Sequence, residues 1–271
     1  MDIGVMFWAG RDNLAELRAL GVQCGQLGVG GDVALTAQAA ADWREQIAQA
    51  KFSIATVVCA YHGEDYADIP TVQRTVGFIP PATREAREQR TLEASDFAAA
   101  LGVKSIACHI GFVPEDRFDP DYIAVRGMVR RICDRAEEHG QTFALETGQE
   151  PAGTLLRFLD DAECPNLKIN FDPANMILYG SGDPIEAFEK LAPHVVSVHA
   201  KDGDWPPAGK PGALGSEKPL GQGAVGIPRF VETLNRAGYQ GSVNVEREIE
   251  DQSQRIADIG MAVRLLRSLG V

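Results

Sequence analysis

Four stretches of this chain each end an apolar run on a side chain able to bind a metal ion: TFALETG on Glu146, LKINFDP on Asp172, VVSVHAKD on His199 and GSVNVERE on Glu246. Two glutamates, an aspartate and a histidine suit one hard or borderline divalent cation. Mn²⁺ is expected first, with Mg²⁺, Co²⁺ or Zn²⁺ as alternatives, and such a donor set leaves room for substrate oxygens. Taken singly, each residue has an ordinary reading as well. Asp172 precedes a proline and would serve as a helix N-cap, and a lone His199 would read as a satisfied core histidine. Glu146 and Glu246 are harder to set aside, because a carboxylate at the end of a core strand is costly without a partner.

The elements that must bring these four together follow from the alternation of the chain. Eight β-rich runs are legible: Ile3–Trp8, Val22–Gly28, Ser53–Tyr61, Ser105–Val113, Thr142–Thr147, Leu167–Asp172, Val195–Ala200 and Ser242–Glu246. Helical stretches follow them at Asp12–Leu20, Thr36–Ala50, Thr83–Leu101, Asp121–His139, Ala152–Leu159, Pro184–Leu191, Ile227–Ala237 and Gln254–Leu269. Strict alternation of this kind predicts a parallel sheet, and eight units predict one α/β domain over residues 1–271, a (β/α)8 barrel. Neighbouring strands lie about 4.8 Å apart, so ligands from the fifth to eighth strand ends can close on one ion at the C-terminal face.

Other polar or aromatic residues fall at the same end of the expected barrel. Trp8, His62 and His109 close the first, third and fourth strands, Asn175 follows Asp172, and Lys201 and Trp205 follow His199. Lys201, two residues beyond His199, would share its face if the strand continues; a salt bridge to Asp202 or another nearby acid is the competing reading. The long connections His62–Ala82 and Asp202–Gly226 are expected to be substrate walls, their Pro and Gly content favouring ordered turns over helix. Gly221 and Gly223 permit a tight turn there but lack the spacing of a phosphate loop.

Bulk properties exclude several classes of function. With 26 Lys+Arg against 38 Asp+Glu, the net charge of −12 repels phosphate backbones and anionic membranes, so neither nucleic acid nor membrane is an expected partner. The five cysteines are scattered without a CxxC pair, which argues against a thiolate zinc site and a disulfide framework. No run approaches the roughly 18 apolar residues of a membrane span, and MDIGVMFWAGRDN has no basic segment leading into an apolar one. The expected compartment is the cytoplasm.

The pieces ALETG, NFDPAN, SVHAKD, LGQGAVGI and GYQGSVNVE, spread over Phe143 to Glu246, resemble the sugar phosphate isomerase/epimerase family, the xylose isomerase-like barrels. The resemblance implies a TIM barrel whose metal ligands are Glu146, Asp172, His199 and Glu246, with Glu146 and Glu246 doubling as paired acid/base groups. It implies a small carbohydrate substrate: a ketose, ketose phosphate or keto-cyclitol, isomerised or epimerised by proton transfer beside a carbonyl. An inosose dehydratase-like lyase and a non-catalytic sugar-binding barrel are the alternatives, and a homodimer or homotetramer is the implied assembly. Two positions depart from the ketose 3-epimerase pattern: Asn175 stands where those proteins have histidine, and Trp205 where they have arginine. His62 and His109 resemble the extra zinc ligands of endonuclease IV, but the remaining ligands of that site are missing. The expected substrate-contacting set is therefore Trp8, His62, His109, Asn175, Lys201 and Trp205.

Overall fold

A computed structural model describes residues 1–271. In chain order the strands are β1 (Asp2–Trp8), β2 (Cys24–Val29), β3 (Ser53–Cys59), β4 (Ser105–Cys108), β5 (Thr142–Glu146), β6 (Leu167–Phe171), β7 (Val195–Ala200), β8 (Asp202–Asp204), β9 (Ser216–Lys218) and β10 (Ser242–Val245). All but β8 and β9 form a closed parallel barrel in the order β1-β10-β7-β6-β5-β4-β3-β2. The eight expected strands are these eight. Ten α-helices and a 3₁₀ turn at Ala192–His194 complete the chain: α1 (Leu14–Ala19), α2 (Ala37–Ala50), α3 (Ile69–Thr75), α4 (Arg84–Leu101), α5 (Pro120–Glu138), α6 (Ala152–Ala162), α7 (Pro173–Tyr179), α8 (Pro184–Leu191), α9 (Ile227–Arg236) and α10 (Gln252–Ser268).

Two-residue alternation divides each strand between two environments. Phe143, Leu145, Ile169, Phe171, Val198, Ala200, Val243 and Val245 belong to the large core between barrel and helices. There Phe171 of β6 meets Phe188 of α8 edge-on at 5.2 Å and stacks on Phe230 of α9 at 5.9 Å. The alternate residues point inward. Met6, Val58, Ala107 and Ala144 form a small apolar cluster inside the ring, and Gln26, Asn170, Ser197 and Asn244 are buried polar residues of the same interior. Gly28 admits Trp8 to this space, since a Cβ there would lie 2.5 Å from the indole.

Three expectations about connections are corrected. The fourth strand stops at Cys108 and does not reach Val113: Gly111 turns at φ 82°, and Ile110 gives its carbonyl to Phe78 N at 2.9 Å instead of to a neighbouring strand. The His62–Ala82 segment does hold a helix, α3, because Asp68 caps it at Thr71 N (2.8 Å) and Pro70 occupies its first turn, where no N–H is needed. After β6 a short helix absent from the expected helical stretches, α7, starts at Pro173 with Asp172 as its N-cap.

The Asp202–Gly226 connection contains the antiparallel β8–β9 pair, and Asp202 is its anchor. Its two carboxylate oxygens accept from four backbone N–H groups: Gly203 (2.9 Å), Gly221 (2.9 Å), Gly223 (3.0 Å) and Val225 (3.1 Å). Gly223 is required here, as a Cβ would lie 2.3 Å from Asp202 Oδ1. The Lys201–Asp202 salt bridge does not form; Asp202 faces the loop and Lys201 faces the barrel mouth. Asp202→Ala is expected to lower unfolding free energy by about 2–3 kcal/mol, read from urea titration; an unchanged midpoint would show that the loop is held by other contacts.

Candidate metal centre

The barrel brings Glu146, Asp172, His199 and Glu246 together, as the order of the strands required. One ligand atom from each lies within 4.8 Å of all the others, and all four side chains are buried. His199 Nδ1 is 2.9 Å from Glu246 Oε2, 3.3 Å from Glu146 Oε1 and 3.6 Å from Asp172 Oδ2. Asp172 is the helix N-cap that the sequence suggested, and it also faces the cluster. Its Oδ1 caps α7 by accepting from Ala174 N (2.8 Å) and Asn175 N (3.0 Å), while Oδ2 turns into the cluster.

Three atoms at the convergence point, Asp172 Oδ2, His199 Nδ1 and Glu246 Oε2, are buried without a hydrogen-bond partner. Leaving three such atoms unmet is costly, and a divalent cation is the partner that fits. Oxygen and nitrogen ligands held about 2.0–2.4 Å from one ion necessarily lie within about 4.8 Å of each other. The second nitrogen of His199 is engaged elsewhere, 2.6 Å from Gln26 Oε1, which leaves Nδ1 to the cluster.

Around the cluster opens a cavity of about 410 Å³. Trp8, His109, Asn175 and Lys201 line it, as expected, together with Tyr66, Leu178, Tyr179, Leu214 and Glu248. Asn175 Nδ2 donates to Glu146 Oε1 at 3.2 Å, and His109 Nε2 lies 3.3 Å from the same atom while Gln149 Nε2 approaches its Nδ1 at 3.2 Å. Lys201 is buried, with Nζ 2.7 Å from Glu248 Oε2, 3.2 Å from Glu246 Oε2 and 3.7 Å from Asp172 Oδ2. His62 and Trp205 do not line the cavity. The His62 side chain is 84% exposed beside Asp32, because the chain leaves β3 at Cys59, and Trp205 is 46% exposed beyond β8.

Glu248 went unremarked in the sequence, although its place two residues after Glu246 repeats the spacing of Lys201 to His199 and so signals a shared face. Its backbone N–H is held by Glu217 of β9 at 3.0 Å, which ties the hairpin to the cavity wall. Tyr66, Tyr179 and Leu214 come from loops or from α7, and no periodicity marks them.

The electrostatics follow from burial and neighbours. Burial raises the Glu146 carboxyl, but His109 and His199 outweigh it and hold it well below the usual carboxylate range. Burial disfavours the charged imidazoles in turn, yet Glu246 and Glu146 lift His199 well above the ordinary histidine value, and Glu146 lifts His109 to about 9. Lys201 behaves likewise: Glu246, Glu248 and Asp172 overcome desolvation and keep its ammonium charged. A cation entering the cluster must displace the His199 proton, whereas Glu146 has none to lose. Apparent Mn²⁺ affinity should therefore climb by about tenfold per pH unit between pH 6 and 8, measured by calorimetric titration of chelator-stripped protein; a flat profile would contradict this linkage.

The chain matches the family described as xylose isomerase-like TIM barrel over residues 14–269. It is similar to the solved xylose isomerase domain protein from Planctomyces limnophilus, with 42% identity, a TM-score of 0.95 and coverage of 98% of this chain and 96% of that one. A 112-residue stretch is 29% identical to the uncharacterized protein YihM of Escherichia coli (strain K12), covering 40% of this chain and a third (33%) of that relative's length. More distant solved barrels share the fold. A D-psicose 3-epimerase crystallised with D-fructose has TM-score 0.72 and 15% identity over 99% of each chain. The probable 3-DHS dehydratase AsbF from Bacillus anthracis has TM-score 0.70 and 16% identity over 98% of this chain and 99% of that one. With its closed eight-strand barrel and a family match that runs nearly end to end, this chain belongs to the xylose isomerase-like TIM barrel family.

Proposed function

We propose that this protein is a divalent-metal-dependent isomerase or epimerase acting on a small carbohydrate, a ketose, ketose phosphate or keto-cyclitol, by proton transfer beside a carbonyl. The observation that carries this reading is the pair Glu146 and Glu246. Both reach one cavity from strands separated by β6 and β7, and both lie within the 4.8 Å donor cluster. Glu146, Asp172, His199 and Glu246 would hold the ion, Mn²⁺ foremost. When bound, it supplies Lewis-acid polarisation of a substrate carbonyl.

The chain's own residues account for the rest. Glu246 Oε2 is turned toward His199 and Lys201, which leaves Oε1 to take a carbon-bound proton. Glu146 Oε1 is engaged by His109 and Asn175, so its ionised Oε2 is left to exchange a proton on the other face of the substrate. Trp8, Leu178 and Leu214 exclude water and offer an apolar surface to the carbon face of a sugar. Lys201 and Asn175 supply donors for its oxygens. The net charge of −12 speaks against a nucleic-acid substrate.

A specific observation supports a second reading. Lys201 Nζ, 3.2 Å from Glu246, places a buried ammonium where a departing hydroxyl would need a donor; with it the same site would act as a dehydratase. A panel of ketoses and inososes in deuterated solvent decides between them: deuterium incorporation without loss of water marks the epimerase, and a product lighter by one water marks the lyase. Chelation is expected to abolish turnover and Mn²⁺ to restore it; full activity without metal would sink both readings. Glu246→Gln is expected to lower kcat by about 10²–10⁴-fold with an unchanged circular dichroism spectrum.

A further inference from the structure

We propose that Gln26 is the residue that presents His199 to the metal, by accepting the Nε2 proton and so leaving the Nδ1 lone pair to the ion. The inference rests on the reading of the four-residue cluster as a metal site. Gln26 sits on β2, separated from β7 by β1 and β10, and its side chain crosses the barrel interior fully buried. Its Oε1 lies 2.6 Å from His199 Nε2.

The neighbours determine which end of the carboxamide faces the histidine. Gln26 Nε2 donates one proton to Asn170 Oδ1 at 3.0 Å and the other to Ser197 Oγ at 2.8 Å, while the Ser197 hydroxyl spends its own proton on Asn170 Oδ1. Both amide protons are thereby used, and the free end is the acceptor Oε1. Two acceptors 2.6 Å apart would repel, so the proton between them belongs to His199 Nε2. Asn170 Nδ2, 3.1 Å from the same nitrogen, is itself a donor and cannot take that proton. The neutral imidazole that remains once a cation has displaced the second proton carries one N–H, at Nε2, which leaves Nδ1 as a lone pair. That atom is the one buried without a hydrogen-bond partner and directed at Glu246, Glu146 and Asp172.

Packing alone does not call for an amide at this position. Met6, Val58, Ala107 and Ala144 fill other parts of the interior with apolar groups, and a buried carboxamide is costly unless every group on it is bonded. Here every group is bonded, and the only bond that leads toward the site is the one to His199. A neutral acceptor also orients the imidazole without adding a further negative charge beneath three carboxylates. Gln26 is a positioning residue: it acts through His199 and does not touch the cavity.

The test has two arms. In the first, wild-type protein labelled with ¹⁵N-histidine is loaded with Zn²⁺, and the tautomers of its five histidines are read by long-range ¹H–¹⁵N correlation. One histidine coordinated through Nδ1 and protonated at Nε2 is expected; coordination through Nε2 overturns the proposal whatever the variant does. In the second arm, calorimetric titration with Mn²⁺ compares wild type with Gln26→Met, which keeps the volume but loses the acceptor. Affinity should fall about 10–100-fold in Gln26→Met. Gln26→Met binding as tightly as wild type overturns the proposal while leaving the metal reading intact. Failure of the wild type to bind Mn²⁺ or Zn²⁺ overturns the metal reading and this inference with it. Should Gln26→Met not fold, the tautomer measurement alone decides.

Discussion

Three carboxylates and an imidazole share a space less than 5 Å across inside a barrel, and the neighbourhood is arranged around that concentration of negative charge. Like charges this close repel strongly where water is excluded. The protein answers with donors on each carboxylate: His109 and Asn175 on Glu146 Oε1, the first turn of α7 on the outer Oδ1 of Asp172, and the Lys201 ammonium 3.2 Å from Glu246 Oε2. Asp172 Oδ2, His199 Nδ1 and Glu246 Oε2 are still left without a hydrogen bond where the four side chains converge, a place that could hold a cation.

The same constraint explains the unusual floor of the barrel. A metal-binding histidine with one nitrogen in the cluster must place its other nitrogen deeper in the interior, where an apolar filling would strand it. Gln26, Asn170 and Ser197 provide a bonded polar layer at that depth, and apolar residues fill the ring elsewhere. Above the cluster the hairpin is pinned from two sides. Asp202 gathers the Gly221–Val225 turn, and Glu217 holds the backbone of Glu248, whose carboxylate holds Lys201. The cavity wall and the ammonium that points into the cavity are thus parts of one construction.

Much of this was legible before folding because the barrel converts chain order into geometry. Alternating apolar runs identify parallel strands, a parallel strand needs a crossover helix, and a ring of eight places its C-terminal ends at one mouth. The residues that failed the translation are those for which the chain had already left its strand. His62 stands three residues past Cys59, and Trp205 follows the short β8, so neither inherits an inward direction from the pleat. His109, one residue past Cys108, still does.

By itself the sequence determined the fold and the face on which Glu146, Asp172, His199 and Glu246 meet, because two-residue alternation and strand order are local properties that survive without knowledge of any contact. Only the tertiary structure decided which atoms of those residues remain free, since that depends on partners far away in the chain. Gln26 is 173 positions from His199, and no motif links them. Lys201 had two readings that the sequence left equal. Folding joined them: Asp202 found four backbone N–H groups across its loop, so the lysine lines the cavity and makes its ion pairs there with Glu246, Glu248 and Asp172 instead.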